Sequence, residues 1–376
     1  MAARTDAVRP MKVAPNWFTA AMGTGIVANA AVLLPRDAAW LRGLALAAWL
    51  AAALLLLRLA AVAFEQWRRA RRVRDCAGRR VRGAGAAGAG RAGGDLAMAP
   101  FWGAPPMAAM TVGAGALLVG GDLMGQQAAL AVASTLWALG TLGGLAASVT
   151  VPLWMLRHPE RRLDAVFATW LLPVVPPLVS ATTGAALIAH LPAGHPRLLL
   201  LLGCWAMFGA SLLAVAATIA LVWRRLAAHG CGPARMVPTL FIVLGPLGQS
   251  ITAACLLAAA APAATGAAWA GSAGALALVY GLPVLGFALA WLAVALTITW
   301  RTARRGLPFA PTWWSFIFPI GTCVTGASEL AVRTGAAPLD WLAIALFALL
   351  LTAWLLVTGA TARHALLRGR RAAVAA

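Results

Sequence analysis

The sequence predicts an all-α membrane protein with many transmembrane helices. Of its 376 residues, 62% are hydrophobic and only 11% are charged, and the mean hydropathy is +0.84. Soluble domains contain about 25% charged residues. Apolar runs of roughly 20 residues, the length that crosses a bilayer, recur along the whole chain. These observations predict a single transmembrane domain over residues 1–376.

Ten apolar runs are long enough to cross the membrane, with ends defined to within a few residues. The predicted spans are 15–35, 42–64, 101–121, 128–155, 165–190, 198–223, 237–261, 269–299, 310–332 and 339–362. The eighth run is also long enough for two short spans. An odd total, however, would disturb the alternation of positive charge along the chain. Ten spans are therefore expected.

Positive charge alternates from loop to loop. Twenty-five of the 30 lysines and arginines lie before the first span or after an even-numbered span. Because cytoplasmic loops collect lysine and arginine, both termini are expected to be cytoplasmic, with the protein in the plasma or inner membrane. Residues 65–99 are then a basic, Gly/Arg-rich cytoplasmic loop near anionic lipid headgroups, and 364–376 are a cytoplasmic tail.

Other functional classes have little support in the sequence. The cytoplasmic loops account for the net charge of +20, so no nucleic-acid partner is expected. The five cysteines and five histidines lack the spacing of metal ligands, so neither a metal site nor a cofactor is expected. Phosphate-binding loops and nucleophile elbows are also missing from the sequence. No catalytic residue can be assigned, and the chain is not expected to be an enzyme.

Four odd-numbered spans share one pattern: an aromatic residue, a proline, and then small or hydroxyl side chains. Their prolines are 70, 70 and 73 residues apart, the length of a helical hairpin: Pro106, Pro176, Pro246 and Pro319. Proline lacks a backbone N–H, so a helix kink is expected at each one. Kinked helices with small polar residues belong inside a bundle, and uninterrupted apolar helices face lipid. The repeat predicts five helical hairpins, with the odd-numbered helices in an inner ring around a central pore.

Polar side chains of the odd-numbered spans are the candidates to line this pore. The alternative for each hydroxyl group is that it only allows neighbouring helices to pack closely. The candidates are Thr24, Thr111, Ser180, Thr182, Thr183, Gln249, Ser250, Thr252, Thr322 and Thr325. Backbone carbonyls released by the prolines would add further polar groups. The pattern therefore indicates a transmembrane conduit.

Phe318 differs from its counterparts in the other spans. It directly precedes a repeated proline, where the other repeats have the smaller residues Pro105, Val175 and Gly245. A single large ring at this level would narrow or close the pore. The alternative is a phenylalanine that faces lipid or packs in the core. The repeat makes Phe318 a candidate gate.

The chain resembles the tellurite-resistance and dicarboxylate transporter family in three stretches: NWFTAAMGTGIVANA at 16–30, APFWGAPPMAAMTVGAG at 99–115 and WWSFIFPIGTCVTGA at 313–327. This family includes the bacterial TehA channel, plant guard-cell slow anion channels, yeast malic acid transporters and fungal sulfite efflux pumps. The resemblance implies a homotrimer of ten-helix protomers. Each protomer would have its own pore, closed by a phenylalanine of the ninth helix that corresponds to Phe318.

The resemblance also implies the function, which is transmembrane transport of small anions. C4-dicarboxylates such as malate, sulfite, chloride and nitrate are substrates in the family, and the first span looks closer to its malate and sulfite members. The alternative is an efflux transporter that detoxifies sulfite or tellurite, and a further alternative is a membrane-embedded enzyme or sensor. The expected partners are a small anion and membrane lipid. A passive channel and a proton-linked carrier both fit the sequence.

One ion pair is expected near the outer end of the ninth span. Glu329 is the only acidic residue well inside a predicted span, and Arg333 follows one helical turn later. The alternative is a site of proton coupling or an outer gate. No unpaired basic residue lies deep in the predicted pore. Preference for anions would then come from helix dipoles, hydroxyl groups and the basic inner mouth.

Overall fold

The computed structural model describes residues 14–36, 38–77, 98–157 and 163–374, which form helices and turns without a strand. Its main helices are α1 (Phe18–Leu33), α2 (Ala39–Ala77), α3 (Ala104–Gly115), α4 (Gln126–Leu156), α5 (Pro176–Leu187), α6 (His195–His229), α7 (Leu244–Thr265), α8 (Ala270–Ala303), α9 (Ile317–Thr334) and α10 (Ala337–Val374). A π-helical turn, Ala116–Gly120, and a short helix, Gly121–Met124, extend α3.

Eight helical segments among the described residues are long and apolar enough to cross a membrane. The helices that fall short are α1, with 16 residues, and α5, with 12. Both overlap predicted spans and lie among the other helices. The all-helical membrane fold is therefore confirmed, and the count of ten crossings stays a prediction.

Two helices continue beyond the predicted spans. α2 runs to Ala77, so the first part of the predicted loop at 65–99 is helical, and 78–97 lie outside the described residues. α10 runs to Val374, through most of the predicted tail at 364–376. Arginine and alanine are good helix formers, and residues 68–77 contain no glycine or proline that would end α2.

A 3₁₀ segment precedes each odd-numbered helix. These segments are Pro15–Trp17, Ala99–Gly103, Ala168–Leu171, Ala234–Val243 and Pro311–Phe316. The prolines that were expected to kink helices lie in the first turn of the α-helix that follows: Pro106, Pro176, Pro246 and Pro319. A proline in the first turn removes no hydrogen bond from that α-helix. Each of these prolines therefore lies close to the point where the α-helix begins.

Four turns that lead from an odd-numbered helix to the next even-numbered one contain a glycine with positive φ. Glycine adopts this conformation readily because it has no Cβ. The glycines are Gly125 (φ 81°), Gly194 (φ 95°), Gly266 (φ 70°) and Gly335 (φ 63°). Each even-numbered helix packs against the odd-numbered helix before it. The beginnings of the five odd-numbered helices, or the segments before them, line one common cavity, so these helices point the same way.

Burial separates the two sets of helices. In the most apolar stretch of Ala234–Thr265, 89% of the residues are buried, against 22% in Ala39–Arg72. α1 packs against α3, α3 against α5, α5 against α7, α7 against α9, and α9 against α1. The odd-numbered helices, called the inner helices from here on, thus form a closed series of contacts. The even-numbered, or outer, helices expose large apolar side chains such as Leu54, Leu142, Leu213 and Val279.

The backbones of α7 and α9 are in direct contact. A Cβ atom on Gly248 of α7 would overlap the backbone of Thr322 and Cys323 on α9. Gly326 of α9 also lies close to α7, because its Cβ would be 3.0 Å from the Gly248 carbonyl oxygen. Small residues allow membrane helices to approach in this way. This contact fixes α9, with Phe318, against α7.

Candidate functional site

A cavity of about 130 Å³ lies among the five inner helices, on the C-terminal side of Phe318. Each inner helix lines it with residues at helical spacing. These include Ile26, Asn29 and Leu33 of α1, Met110, Thr111, Ala114 and Leu118 of α3, Val179, Thr182, Thr183 and Ala186 of α5, Gln249, Thr252 and Leu256 of α7, and Phe318 and Thr325 of α9. We call this space the larger cavity.

A smaller cavity of about 20 Å³ lies on the N-terminal side of Phe318. Its walls come from the beginnings of the inner helices and the segments before them. They include Thr19, Met22, Met107, Leu172, Val175, Ile242, Gly245, Pro246, Trp314, Ser315 and Pro319. Among the described residues, Phe318 is the only one that lines both cavities, and it is 4% exposed. Its side chain therefore belongs to the wall between them.

The hydroxyl groups of the larger cavity donate mostly to their own helices. Three of them donate to the carbonyl oxygen four residues earlier, at 2.8–2.9 Å: Thr111, Thr182 and Thr183. The hydroxyl groups of Thr252 and Thr325 are hydrogen bonded to each other at 2.8 Å. Most hydroxyl hydrogens are thus engaged, while oxygen lone pairs stay available. These threonines make the wall polar but provide few free donors.

Three side chains that line the cavities donate no hydrogen bond within the described part of the chain. Gln249, only 5% exposed, is the one in the larger cavity. At the smaller cavity, Ser315 makes no side-chain hydrogen bond either, and the indole Nε1 of Trp314 is fully buried without a partner. A fully buried polar group without a partner costs about 1–3 kcal/mol. All three positions therefore favour an occupant that accepts hydrogen bonds.

Six of the ten polar pore candidates border the larger cavity: Thr111, Thr182, Thr183, Gln249, Thr252 and Thr325. The candidates that line neither cavity are Thr24, Ser180, Ser250 and Thr322. The Thr24 hydroxyl accepts a hydrogen bond from the Trp354 indole at 3.3 Å, and Ser250 accepts one from Tyr280 at 2.8 Å. These hydroxyls join an inner helix to an outer one.

Two residues that line the larger cavity with a polar side-chain group were missed by the sequence analysis, Asn29 and Trp137. Asn29 donates to the carbonyl oxygen of Thr111 at 3.2 Å, and its Oδ1 is buried without a partner. An amide inside an apolar span is costly, and this signal could have identified Asn29. Trp137 belongs to outer helix α4 and donates to the Ser180 carbonyl at 3.0 Å. The sequence repeat of the odd-numbered spans does not predict Trp137, because it places even-numbered helices away from the pore.

The predicted ion pair between Glu329 and Arg333 does not form. The salt bridges within the described residues are Arg42–Asp122 and Arg69–Glu65. The Arg333 guanidinium instead donates to the carbonyl oxygen of Cys255 on α7. Residues at i and i+4 can pair, but a carbonyl on the neighbouring helix competes for the same donor. No charged side chain among the described residues lines either cavity.

The structure thus contains two cavities among the inner helices, and the outer helices around them expose apolar side chains. The family model described as voltage-dependent anion channel matches residues 12–362. The chain belongs to this family. The match covers nearly the whole chain and confirms the resemblance seen in its first, third and ninth spans.

Individual relatives agree with this assignment. The chain is 27% identical over 246 residues to an uncharacterized transporter of Methanocaldococcus jannaschii, covering 65% of this chain and 70% of the relative. It is 27% identical over 232 residues to a sulfite efflux pump of Trichophyton rubrum, covering 60% and 61%. A sulfite efflux pump of Arthroderma benhamiae is 26% identical over the same shares. The chain thus belongs to a family of anion channels and transporters.

Proposed function

We propose that this protein conducts small anions across the membrane along the axis of its inner helices, with Phe318 as the gate. The observation that carries the proposal is the position of Phe318, the one described residue that lines both cavities. A buried aromatic ring between two spaces blocks ions and water without a covalent barrier. Displacement of that ring would join the two cavities.

The orientation of the inner helices supports anion selectivity. All five have their N-terminal ends on the side of the smaller cavity. The N-terminus of a helix carries a partial positive charge of about half an elementary charge. Five such ends would attract anions without a basic side chain in the wall. In the proposed topology, with ten crossings and both termini in the cytoplasm, this end opens toward the arginine-rich cytoplasmic face.

Sulfite is the first candidate substrate, and export the first candidate direction. Two of the relatives compared above are named as sulfite efflux pumps. Malate, or another C4-dicarboxylate, is the second candidate, supported by the resemblance of the first span to the malic acid transporters. Chloride, nitrate and tellurite are further anions to test. No side chain in either cavity wall suggests a catalytic reaction, so the protein is proposed to be a transporter without enzymatic activity.

We also propose a homotrimer in the plasma or inner membrane. Both cavities lie within a single chain, so each protomer would contain a complete conduit. The outer helices, with their exposed apolar side chains, would contact lipid and the neighbouring protomers. Cross-linking of the protein in native membranes, read as the number of chains per complex, tests this assembly.

Flux into proteoliposomes tests the function. The purified protein, reconstituted in lipid, should accelerate uptake of radiolabelled sulfite over protein-free liposomes, and malate uptake measured in parallel ranks the two substrates. Measurement at two pH values, with and without a pH gradient, separates a passive channel from a proton-linked carrier. Equal uptake of every tested anion by proteoliposomes and empty liposomes would contradict the proposal.

A further inference from the structure

We propose that the conduit carries its substrate as a singly charged anion, which the side-chain amide of Gln249 binds in the larger cavity. This inference rests on the proposed function and adds the charge of the transported species and a residue that selects it. For a sulfite transporter, the transported species would be hydrogensulfite rather than the sulfite dianion.

Gln249 is the described residue of the larger cavity whose two amide N–H groups are both free. It lies on α7 at helical spacing from Thr252 and Leu256, which also line the cavity. Its side chain is buried and has no hydrogen-bond partner within the described residues, whereas the next residue, Ser250, bonds Tyr280 of α8. A primary amide offers two N–H donors, and an anion accepts them in a charge-assisted hydrogen bond.

The other polar groups of this wall offer fewer free donors than Gln249. The hydroxyl hydrogens of Thr111, Thr182 and Thr183 point to backbone carbonyls of their own helices. The amide of Asn29 donates one N–H to the Thr111 carbonyl and keeps only the other N–H free. The indole N–H of Trp137 donates to a backbone carbonyl as well. Gln249 is therefore the described residue of this wall that offers an entering anion two N–H donors without breaking an existing hydrogen bond.

The described cavity walls contain no cationic side chain, and this favours transport of an anion with a single negative charge. On α9 the titratable groups are Cys323, Glu329 and Arg333, and none of them lines either cavity. On α8 the titratable groups are Tyr280 and Arg301, and on α7 the titratable group is Cys255; all three lie outside the cavity walls. The desolvation energy of an ion grows with the square of its charge, so a dianion loses about four times as much as a monoanion. Neutral donors can offset the smaller loss.

The smaller cavity has the same chemistry. Its unpartnered donors are the indole N–H of Trp314 and the hydroxyl group of Ser315, both neutral and buried. An anion that passes Phe318 would leave the Gln249 amide on one side and meet the Trp314 indole on the other. Both sites bind weakly because neither carries a charge, and weak binding in successive sites permits fast passage.

Anion selectivity at one pH tests the charge of the transported species. Proteoliposomes with the wild-type protein should carry nitrate, a monoanion, at least about 100-fold faster than sulfate, a dianion of similar polarity. Sulfite uptake, divided by nitrate uptake at each pH, should rise as the pH falls through the second pKa of sulfurous acid. Comparable nitrate and sulfate rates, or a ratio that follows the dianion, would overturn the inference.

The variant Gln249→Leu tests the binding residue. It keeps the size of the side chain and removes the amide, so the KM for hydrogensulfite should rise about tenfold, the loss of one charge-assisted hydrogen bond. The matched control Ser250→Ala, one residue away and outside the cavity, should keep the wild-type KM. A wild-type KM for Gln249→Leu, in protein with an unchanged melting temperature, would overturn the role of Gln249. If Gln249→Leu does not fold, nitrate–sulfate selectivity of Gln249→Asn replaces it and should be weaker than in the wild type.

The two proposals fail in distinguishable ways. Protein-dependent flux with no preference for monoanions would overturn this inference and leave anion transport intact. No protein-dependent flux of any anion would overturn the proposed function, and this inference with it.

Discussion

The two cavities on either side of Phe318 differ in volume and in the chemistry of their walls. The larger cavity, about 130 Å³, is lined by faces of regular α-helices that carry threonines and Gln249. The smaller one, about 20 Å³, is lined near the 3₁₀ segments by bulky side chains such as Met22, Met107 and Trp314. The narrow part of the proposed conduit therefore extends from Phe318 toward the helix N-termini. In the proposed gating, opening requires movement of Phe318 and more space on the side of the helix N-termini.

A substitution at Gly248 of α7 should have the largest effect, because the backbones of α7 and α9 meet at this glycine. In Gly248→Ala the new Cβ would overlap the backbone of Thr322 and Cys323, so α7 and α9 would have to separate. Overpacking of this kind costs about 3 kcal/mol or more. We expect a large fall in melting temperature or no folded protein after purification.

Gly245→Ala is the matched control one turn earlier on the same helix. Its Cβ would lie 3.8 Å from Pro319 Cγ, an ordinary van der Waals distance, so the variant should fold normally. Gly245 lines the smaller cavity, where one added methyl group removes much of the available volume. Anion flux should therefore fall several-fold. Equal melting temperatures for the two variants would contradict the close contact of α7 with α9.

The fold was predictable because hydropathy and loop charge vary along the chain itself. Every predicted span overlaps an observed helix, and the repeat of Pro106, Pro176, Pro246 and Pro319 marked the beginnings of inner helices. Each proline was expected to bend a continuous helix, whereas it lies in the first turn of an α-helix. Sequence alone does not show that the preceding residues form a 3₁₀ segment. The helical extension of α2 to Ala77 was missed because its charge argued for a loop.

The site was less predictable, because the rotation of a helix about its axis decides which polar residue faces the cavity. Gln249 and Ser250 are adjacent, but about 100° of rotation separates them, and only Gln249 lines the wall. Trp137 reaches the cavity from an outer helix, which no periodicity on α4 indicates. Arg333 binds a carbonyl of α7 instead of Glu329 because of a neighbour that is distant in sequence.

Variants that each lack one hydroxyl group test which threonines border the larger cavity. Thr182→Val makes its wall less polar, so anion flux in proteoliposomes should fall about threefold. Thr24→Val removes a hydroxyl that bonds Trp354 outside the cavity, so flux should stay at the wild-type level while stability falls by about 1 kcal/mol. A larger flux loss in Thr24→Val than in Thr182→Val would mean that the conduit follows another face of α1.

The smallest effect is expected in the short helix Gly121–Met124, whose Asp122 lines neither cavity. Asp122 forms a salt bridge with Arg42 at 2.9 Å, and both side chains are largely exposed to solvent. Exposed ion pairs contribute little because water and salt screen them. Asp122→Asn should leave both the melting temperature and the anion flux unchanged. A clear loss of anion flux would indicate that this short helix takes part in anion entry.

The anion current of Phe318→Ala tests the central claim most directly. In planar bilayers, removal of the ring should join the two cavities and raise the current at least about tenfold over the wild type. The matched control is Phe316→Ala, which removes a ring that packs edge-on against Phe241 at 4.8 Å and lines neither cavity. It should leave the current at the wild-type level. A wild-type current in folded Phe318→Ala protein would contradict the assignment of Phe318 as the gate.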